Sequence, residues 1–177
     1  LEDPMESVGM GVVYTLTAGG KTLRDISDVD RQALIDTYYH PHHNSLTRMV
    51  DDSLEQHGRC LIIDCHSFPE QPLPYETDSN RPDICIGTDA IHTSTGLLDG
   101  LSQAFTALGY AVAVDSPFSG TIVPLKHYHK DHRVSSIMIE VNRSLYADPK
   151  GFSRMQSDLS DAIAQAATID LFDNAGE

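Results

Sequence analysis

The sequence predicts a layered α/β fold with a largely parallel sheet, and two observations carry this. Helix-like and strand-like segments alternate along the chain, the pattern that builds a sheet covered by helices. The strand-like segments "CLIID" (60–64) and "SSIMIEVN" (135–142) are also short, strongly apolar runs, as in strands buried on both faces. The length of 177 residues and the hydrophobic fraction of 40% suit one ordinary domain with a filled core, so residues 1–177 are read as a single domain.

Residues 9–23, which contain Gly19-Gly20, predict a small hairpin. Residues 28–57 read as helix, with Ile35, Tyr38 and Tyr39 on one face. Pro41 predicts a kink or break near His40, because proline has no N–H to donate and its ring crowds the carbonyl four residues back. Leu46, Met49, Val50 and Leu54 then recur at helical spacing, and Gly58 ends the helix. "CLIID" is the first strand, the proline-rich stretch 69–82 a loop, and "DICIGT" (83–88) a second strand. Residues 94–109 form an amphipathic helix with Leu97, Leu101, Phe105 and Leu108 on its stripe and Gly109 as its stop. "YAVAVD" (110–115) is the third strand, "SPFSGTIVP" a loop with room for a short strand, and 135–142 the fourth strand. Asp148-Pro149 reads as an N-cap followed by proline at the first helical position, after which Phe152, Met155, Leu159, Ile163 and Ala166 keep helical spacing.

Twelve Lys and Arg stand against 26 Asp and Glu, a formal net charge of −14. A chain without clustered cations is a poor partner for nucleic acid or for an anionic membrane surface. No apolar run approaches the roughly 20 residues that span a bilayer. The three cysteines, Cys60, Cys65 and Cys85, form an odd set without CxxC spacing. This argues against a disulfide framework and for a reducing cytoplasm, with the thiols serving as small buried hydrophobes.

Ligands of open α/β sheets bind beyond the carboxyl ends of strands. Three strand ends carry unusual residues here, Asp64-Cys65-His66, Asp115-Ser116 and Glu140-Val141-Asn142-Arg143, and they are expected to meet on one rim. Asp64 and His66 are two apart on a strand and share a face, with Cys65 on the other. A carboxylate so placed fixes the imidazole tautomer or shares a metal with it. Glu140 interrupts an apolar run on the side opposite Ile137 and Ile139. Glutamate is seldom buried without a partner, so Glu140 is read either as a general base tuned by partial burial or as the partner of Arg143 or Arg133. Arg81 and Arg143 are candidate anion anchors, with pairing to a nearby Asp as the competing reading. His40, His42 and His43, and again His127, His129 and His132, cluster like metal ligands, but Pro41 and the polar surroundings favour solvated loops or helix ends. His129 and His132, near the Glu140 strand in sequence, are candidates for a site mouth. GxGxxG, P-loop and GxSxG motifs are absent, which disfavours a serine hydrolase.

The segments "YYHPHHNSL", "LIIDCHSFP", "NRPDICIGT", "DSPFSGTIV" and "IMIEVNRSLY", in that order, resemble the N-formylglutamate amidohydrolase (N-formylglutamate deformylase) family, from about residue 5 to residue 165. The resemblance implies a fold similar to zinc carboxypeptidases and aspartoacylases, a three-layer α/β/α, phosphorylase/hydrolase-like architecture. It implies hydrolysis of N-formyl-L-glutamate, a small anionic N-acyl amino acid, to formate and L-glutamate in histidine degradation. It implies His66 as a Zn²⁺ ligand, Asp64 as its orienting residue, Glu140 as general base and acid, Arg81 and Arg143 on substrate carboxylates, and Asn142 and His129 in support. A bound zinc polarises the amide carbonyl and lowers its water's pKa to roughly 7. Family members carry further metal ligands on an N-terminal segment ahead of the part seen here. The chain is therefore expected to be the C-terminal part of a longer domain, to bind zinc weakly through His66 or not at all, and to expose a sheet edge that drives self-association. Two rival readings are a hydrolase of another N-acyl amino acid and a non-catalytic binding module on the same scaffold.

Overall fold

The computed structural model describes residues 4–73, 76 and 79–173. The chain divides into two compact units, residues 1–49 with 72–79, and residues 50–71 with 80–177.

In the first unit a 3₁₀ turn, Pro4–Val8, precedes a hairpin reduced to one antiparallel bridge, Leu16↔Thr22. Gly20 closes that turn at φ 75°, where a side chain is disfavoured. Helix α1 (Asp28–Leu34) begins at Ser27, whose hydroxyl accepts the Asp30 N–H at 3.2 Å. The break expected near His40 takes the form of a π-helical turn, Ile35–Tyr39, leading straight into helix α2 (His40–His57). A widened turn accommodates the donor that Pro41 lacks and the bulk of its ring. His40, His42 and His43 sit on the first turn of α2, and the Tyr39 ring packs 4.1 Å from that of His43.

The second unit takes up the chain from Val50, and α2 ends at Gly58 with φ 75°. Four strands form an open mixed sheet flanked by helices: β1 (Cys60–Phe68), β2 (Ile84–Gly87), β3 (Val112–Val114) and β4 (Val134–Asn142), in the order β1-β4-β2-β3. The β1–β4 and β2–β3 pairs are parallel, and β2 runs antiparallel to β4. Two expectations are corrected here. Strand β1 does not stop at Asp64 but continues through His66 to Phe68, because β4 offers a partner for every residue of it. Strand β3 ends in the opposite direction from β1 and β4, so Asp115 does not follow a strand end on their rim; it stands beside Gly87, the register partner of Met138, and so level with Asp64.

One sheet face carries Ile63, Ile84, Ile86, Ile137, Ile139 and Val141. Helices α3 (Thr95–Ala107) and α4 (Pro149–Asp173) cover it with Leu97, Leu101, Phe105, Met155, Ala162 and Ala166. Each large apolar side chain so buried stabilises the fold by about 1.5–3 kcal/mol. Ser94 caps α3, its hydroxyl accepting the Leu97 N–H at 3.1 Å, and Asp148 caps α4 through Lys150 N–H at 2.9 Å. Leu108 and Phe152, expected on the buried stripes, are 52% and 56% exposed; Leu108 is the C-cap residue of α3, and Phe152 lies in the first turn of α4. Among the described residues no helix is long and apolar enough to cross a membrane.

On the other face, the loop 115–124 folds over β2 and β4. Asp115 enters it at φ 52°, held there by Thr88, whose N–H and hydroxyl donate to its carboxylate at 2.8 and 2.6 Å. Ser136 donates to the Ile122 carbonyl at 2.8 Å, and Gly87 is needed where a Cβ would strike the Gly120 carbonyl and the Met138 side chain.

His92, which the sequence did not single out, anchors the far rim. It is buried, donates from Nδ1 to the Val134 carbonyl at 2.7 Å and accepts the His129 N–H at Nε2 at 2.9 Å, which fixes its tautomer. Replacing it by alanine leaves two buried polar groups without partners. His92→Ala is expected to lower the unfolding free energy by about 3 kcal/mol, measured by urea denaturation; a loss under about 1 kcal/mol would overturn this anchoring role.

Candidate active site

The β1–β4–β2 ladders define the site. His66 is the register partner of Glu140, and Glu140 is the register partner of Cys85 across the antiparallel pair. Directly paired residues point to the same face, so His66, Glu140 and Cys85 form one row across three strands. That face lies opposite the helix-covered core. Asp64, two residues before His66, shares it, and Cys65 points the other way.

The row grades from open to closed. His66, on the outer strand, is exposed. Its Nε2 lies 2.8 Å from Asp64 Oδ1, which orients the ring and leaves Nδ1 for another partner. Glu140 is 8% exposed in the middle strand. Cys85 is fully buried under the 115–124 loop, its thiol 3.2 Å from the Phe118 carbonyl. Burial pushes the Cys85 thiol up, and the Glu140 and Asp115 carboxylates act in the same direction. Exposed Cys65 departs from the expected role of buried hydrophobe; partial burial and the Asp64 carboxylate raise its thiol too.

The two arginines separate. Arg81 has its guanidinium carbon 5.8 Å from the Phe68 ring centre and 5.9 Å from that of Phe118. Phe68 follows His66 by two positions on β1, so Arg81 stands over the same face as the row. Arg143 turns instead to Ser67, donating from Nε to its hydroxyl at 3.2 Å and from Nη2 to its carbonyl at 2.9 Å. Arg133, the other partner considered for Glu140, grips Asp131 at 2.9 and 2.7 Å at the start of β4 and holds that carboxyl down at about 2. Asn142 is buried and fixes the approach to β2: its side-chain amide donates to the Pro82 carbonyl at 3.2 Å and its backbone N–H to the Asp83 carbonyl at 2.9 Å.

His129 is not brought to the row. It sits at φ 53° beside Asp89, 3.1 Å away, at the Val134 end of β4. Six residues of strand, roughly 20 Å, separate that end from Glu140. His127, expected in a solvated loop, is buried between Asp51 at 2.8 Å and Asp131 at 3.7 Å.

A catalytic zinc takes three protein ligands. His66 and Asp64 bring one imidazole and one carboxylate, and among the described residues no three His, Cys, Asp or Glu side chains converge. These residues by themselves do not fit a complete zinc site.

On the helix-covered side of the sheet, away from the row, a cavity of about 300 Å³ is lined by His66, Ser67, Val141, Tyr146, Met155 and Leu159 among others. Residues that the sequence reading missed at this site are Phe68, Phe118 and the row position of Cys85. Each depends on strand register, which no local pattern reports.

The chain matches the N-formylglutamate amidohydrolase family over residues 1–147. None of the curated proteins matches it. The crystal structure of N-formylglutamate amidohydrolase from Ralstonia eutropha JMP134 resembles it with a TM-score of 0.74 at 22% identity, covering 99% of this chain and 66% of that one. A gene product of Agrobacterium tumefaciens resembles it with a TM-score of 0.61 at 16% identity, covering 81% of this chain and 56% of that one. These likenesses are of fold, and the chain spans about two thirds or less of each structure's length.

The row predicts an order of thiol reactivity. Iodoacetamide on the native protein is expected to modify Cys65 and spare Cys85 until denaturant is added, as read by peptide mass spectrometry. Because the Cys65 thiol is raised above its ordinary value, its rate at pH 7 should fall below that of a free cysteine and climb as the pH rises. Equal labelling of both thiols in the folded state would contradict the loop's closure over Cys85.

Proposed function

The chain belongs to the N-formylglutamate amidohydrolase family, and from that premise we propose that it hydrolyses the formyl amide of N-formyl-L-glutamate to formate and L-glutamate. The observation that carries the reading is the register pair His66–Glu140, an oriented imidazole beside a shielded carboxylate on one open face.

Amide hydrolysis needs a water stripped of a proton, a polarised carbonyl and a proton for the leaving nitrogen. Glu140 takes the proton from the attacking water and delivers it to the nitrogen. Its position inside an otherwise apolar strand supports this role, since a carboxylate shielded from bulk water is tuned for proton transfer. His66, held by Asp64, faces the same carbonyl. Arg81 grips a substrate carboxylate. Zinc belongs to this proposal through the family alone. His66 would be one ligand, and the described residues do not supply the rest, so no step is routed through the metal. Self-association along the outer edge of β1, a cytoplasmic location, and a single hydrolase domain over residues 1–177 stand beside it as further parts of the proposal.

The rival reading, hydrolysis of another N-acyl amino acid, keeps the same His66–Glu140 pair and differs only in the acyl group accepted.

Formate release from N-formyl-L-glutamate, run beside N-acetyl and longer N-acyl amino acids and with elemental analysis of the protein, separates these readings. Glu140→Gln is expected to lower kcat by about 10²–10⁴-fold while circular dichroism and the melting temperature stay unchanged. Turnover near wild type would remove Glu140 from the mechanism. A protein that releases no acyl group from any substrate with metal supplied would favour a binding module.

A further inference from the structure

We propose that a cavity in the first unit binds a small monocarboxylate carried on a flat apolar ring, a site that shares no residue with the His66–Glu140 row and does not rest on the hydrolase reading. The cavity measures about 480 Å³, within the usual range of small-molecule sites. The hairpin side contributes Val13, Tyr14 and Arg24, and the helical side Ile35, Tyr38 and Tyr39. Val13 is buried and Ile35 half-buried, whereas Tyr14, Tyr38 and Tyr39 are 46%, 69% and 38% exposed. Of the twelve large apolar side chains that stand exposed among the described residues, seven belong to this unit, and four of these, Val12 and the three tyrosines, line this one cavity. A concentration of that kind, rimmed by polar groups, is the signature of a binding surface.

Charge decides what the cavity takes. Acids outnumber Lys and Arg by 26 to 12 in this chain, yet no Asp or Glu is among the described residues that line it. Arg24 is exposed there, and its guanidinium makes no ion pair or hydrogen bond with the described residues. Arg31, in the same unit, is held by Glu6 at 2.5 Å. The cavity beside α2 and the start of β4 shows the contrast: Lys126 meets Asp51 at 2.6 Å and Arg133 meets Asp131 at 2.7 Å, so its cations are already neutralised. Arg24 instead keeps its whole fork for a carboxylate, which accepts two parallel hydrogen bonds from it. The walls around it are set beforehand. The Leu23 and Arg24 N–H groups both donate to the Thr15 carbonyl, at 2.9 and 3.3 Å, which fixes Arg24 across the hairpin from Tyr14. The Tyr39 ring is braced by His43 at 4.1 Å and His40 at 5.7 Å. Tyrosine rings offer a flat guest stacked or edge-on contacts, and their hydroxyls stay free to bond at the rim. One guanidinium sets the guest's charge at −1, and three phenol rings set its shape as flat and apolar.

The test titrates benzoate into the whole chain, read by isothermal calorimetry and by the tyrosine ring signals in NMR. Benzamide keeps the ring without the charge, and acetate keeps the charge without the ring. Benzoate is expected to move the Tyr14, Tyr38 and Tyr39 signals and to bind at least about tenfold more tightly than either analogue. Arg24→Gln should bring benzoate down to the level of benzamide and leave benzamide where it was, while Tyr38→Ala should weaken both. Arg24 and Tyr38 are exposed, so both variants should keep the wild-type melting temperature. Arg81→Lys reports on binding at the row, and it should leave benzoate affinity within about twofold of wild type. Benzoate that does not bind, that binds no more tightly than benzamide, or that keeps its affinity in Arg24→Gln overturns the site. Loss of benzoate binding in Arg81→Lys places the ligand at the row and overturns it equally.

Discussion

Strand β4 is paired on both sides, with β1 along nine residues and with β2 along four, and all nine of its residues are buried. Its register is the constraint on which the rest depends. A shift of one position would reverse every side chain. Ile137, Ile139 and Val141 would leave the helix-covered core, and Glu140 and Asn142 would enter it. A carboxylate and an amide without matched partners in that core would cost several kcal/mol. The register that keeps the core apolar is therefore also the one that seats Glu140 between His66 and Cys85. Core and site are two sides of one choice.

This explains which parts could be read from the sequence. Helices α3 and α4, the stop at Gly58 and the Asp148-Pro149 start follow local rules of period and capping, and they stand where those rules put them. The second half of β1 did not declare itself, because Cys65, His66 and Ser67 carry no apolar run; the long ladder with β4 decides it. Strand direction was equally hidden. "DICIGT" is apolar whichever way it runs, and only the pairing with β4 reveals that β2 is antiparallel. That reversal turns the end of β3 away from the ends of β1 and β4, while the register keeps Asp115 level with Asp64.

The site divides along the same line. His66, Asp64 and Glu140 were legible because a histidine two residues from an aspartate, and an acid inside an apolar strand, are improbable without a reason. The geometry of their meeting was not. Phe118 sits in a stretch readable only as loop, and its partners Phe68, 50 positions earlier, and Arg81 are set by folding at long range. His129 shows the converse error. Nearness in sequence to the Glu140 strand suggested nearness in space, yet β4 carries Glu140 roughly 20 Å away from that end.

The two rims consequently do different work with similar residues. On the far rim, Asp89, His92 and His129 each hold a backbone or side-chain partner. Their polar groups are spent on turning the chain between strands. On the near rim, Asn142 and Arg143 do the holding, at Pro82 and Ser67, and so leave the face between them to His66, Glu140 and Arg81. The loop over Cys85 closes that face from the β2 side. An approach to Glu140 therefore runs over β1, past the exposed imidazole. The burial of Glu140 and the exposure of His66 follow from the strand order β1-β4-β2 itself, which puts one in a middle strand and the other on the outer one.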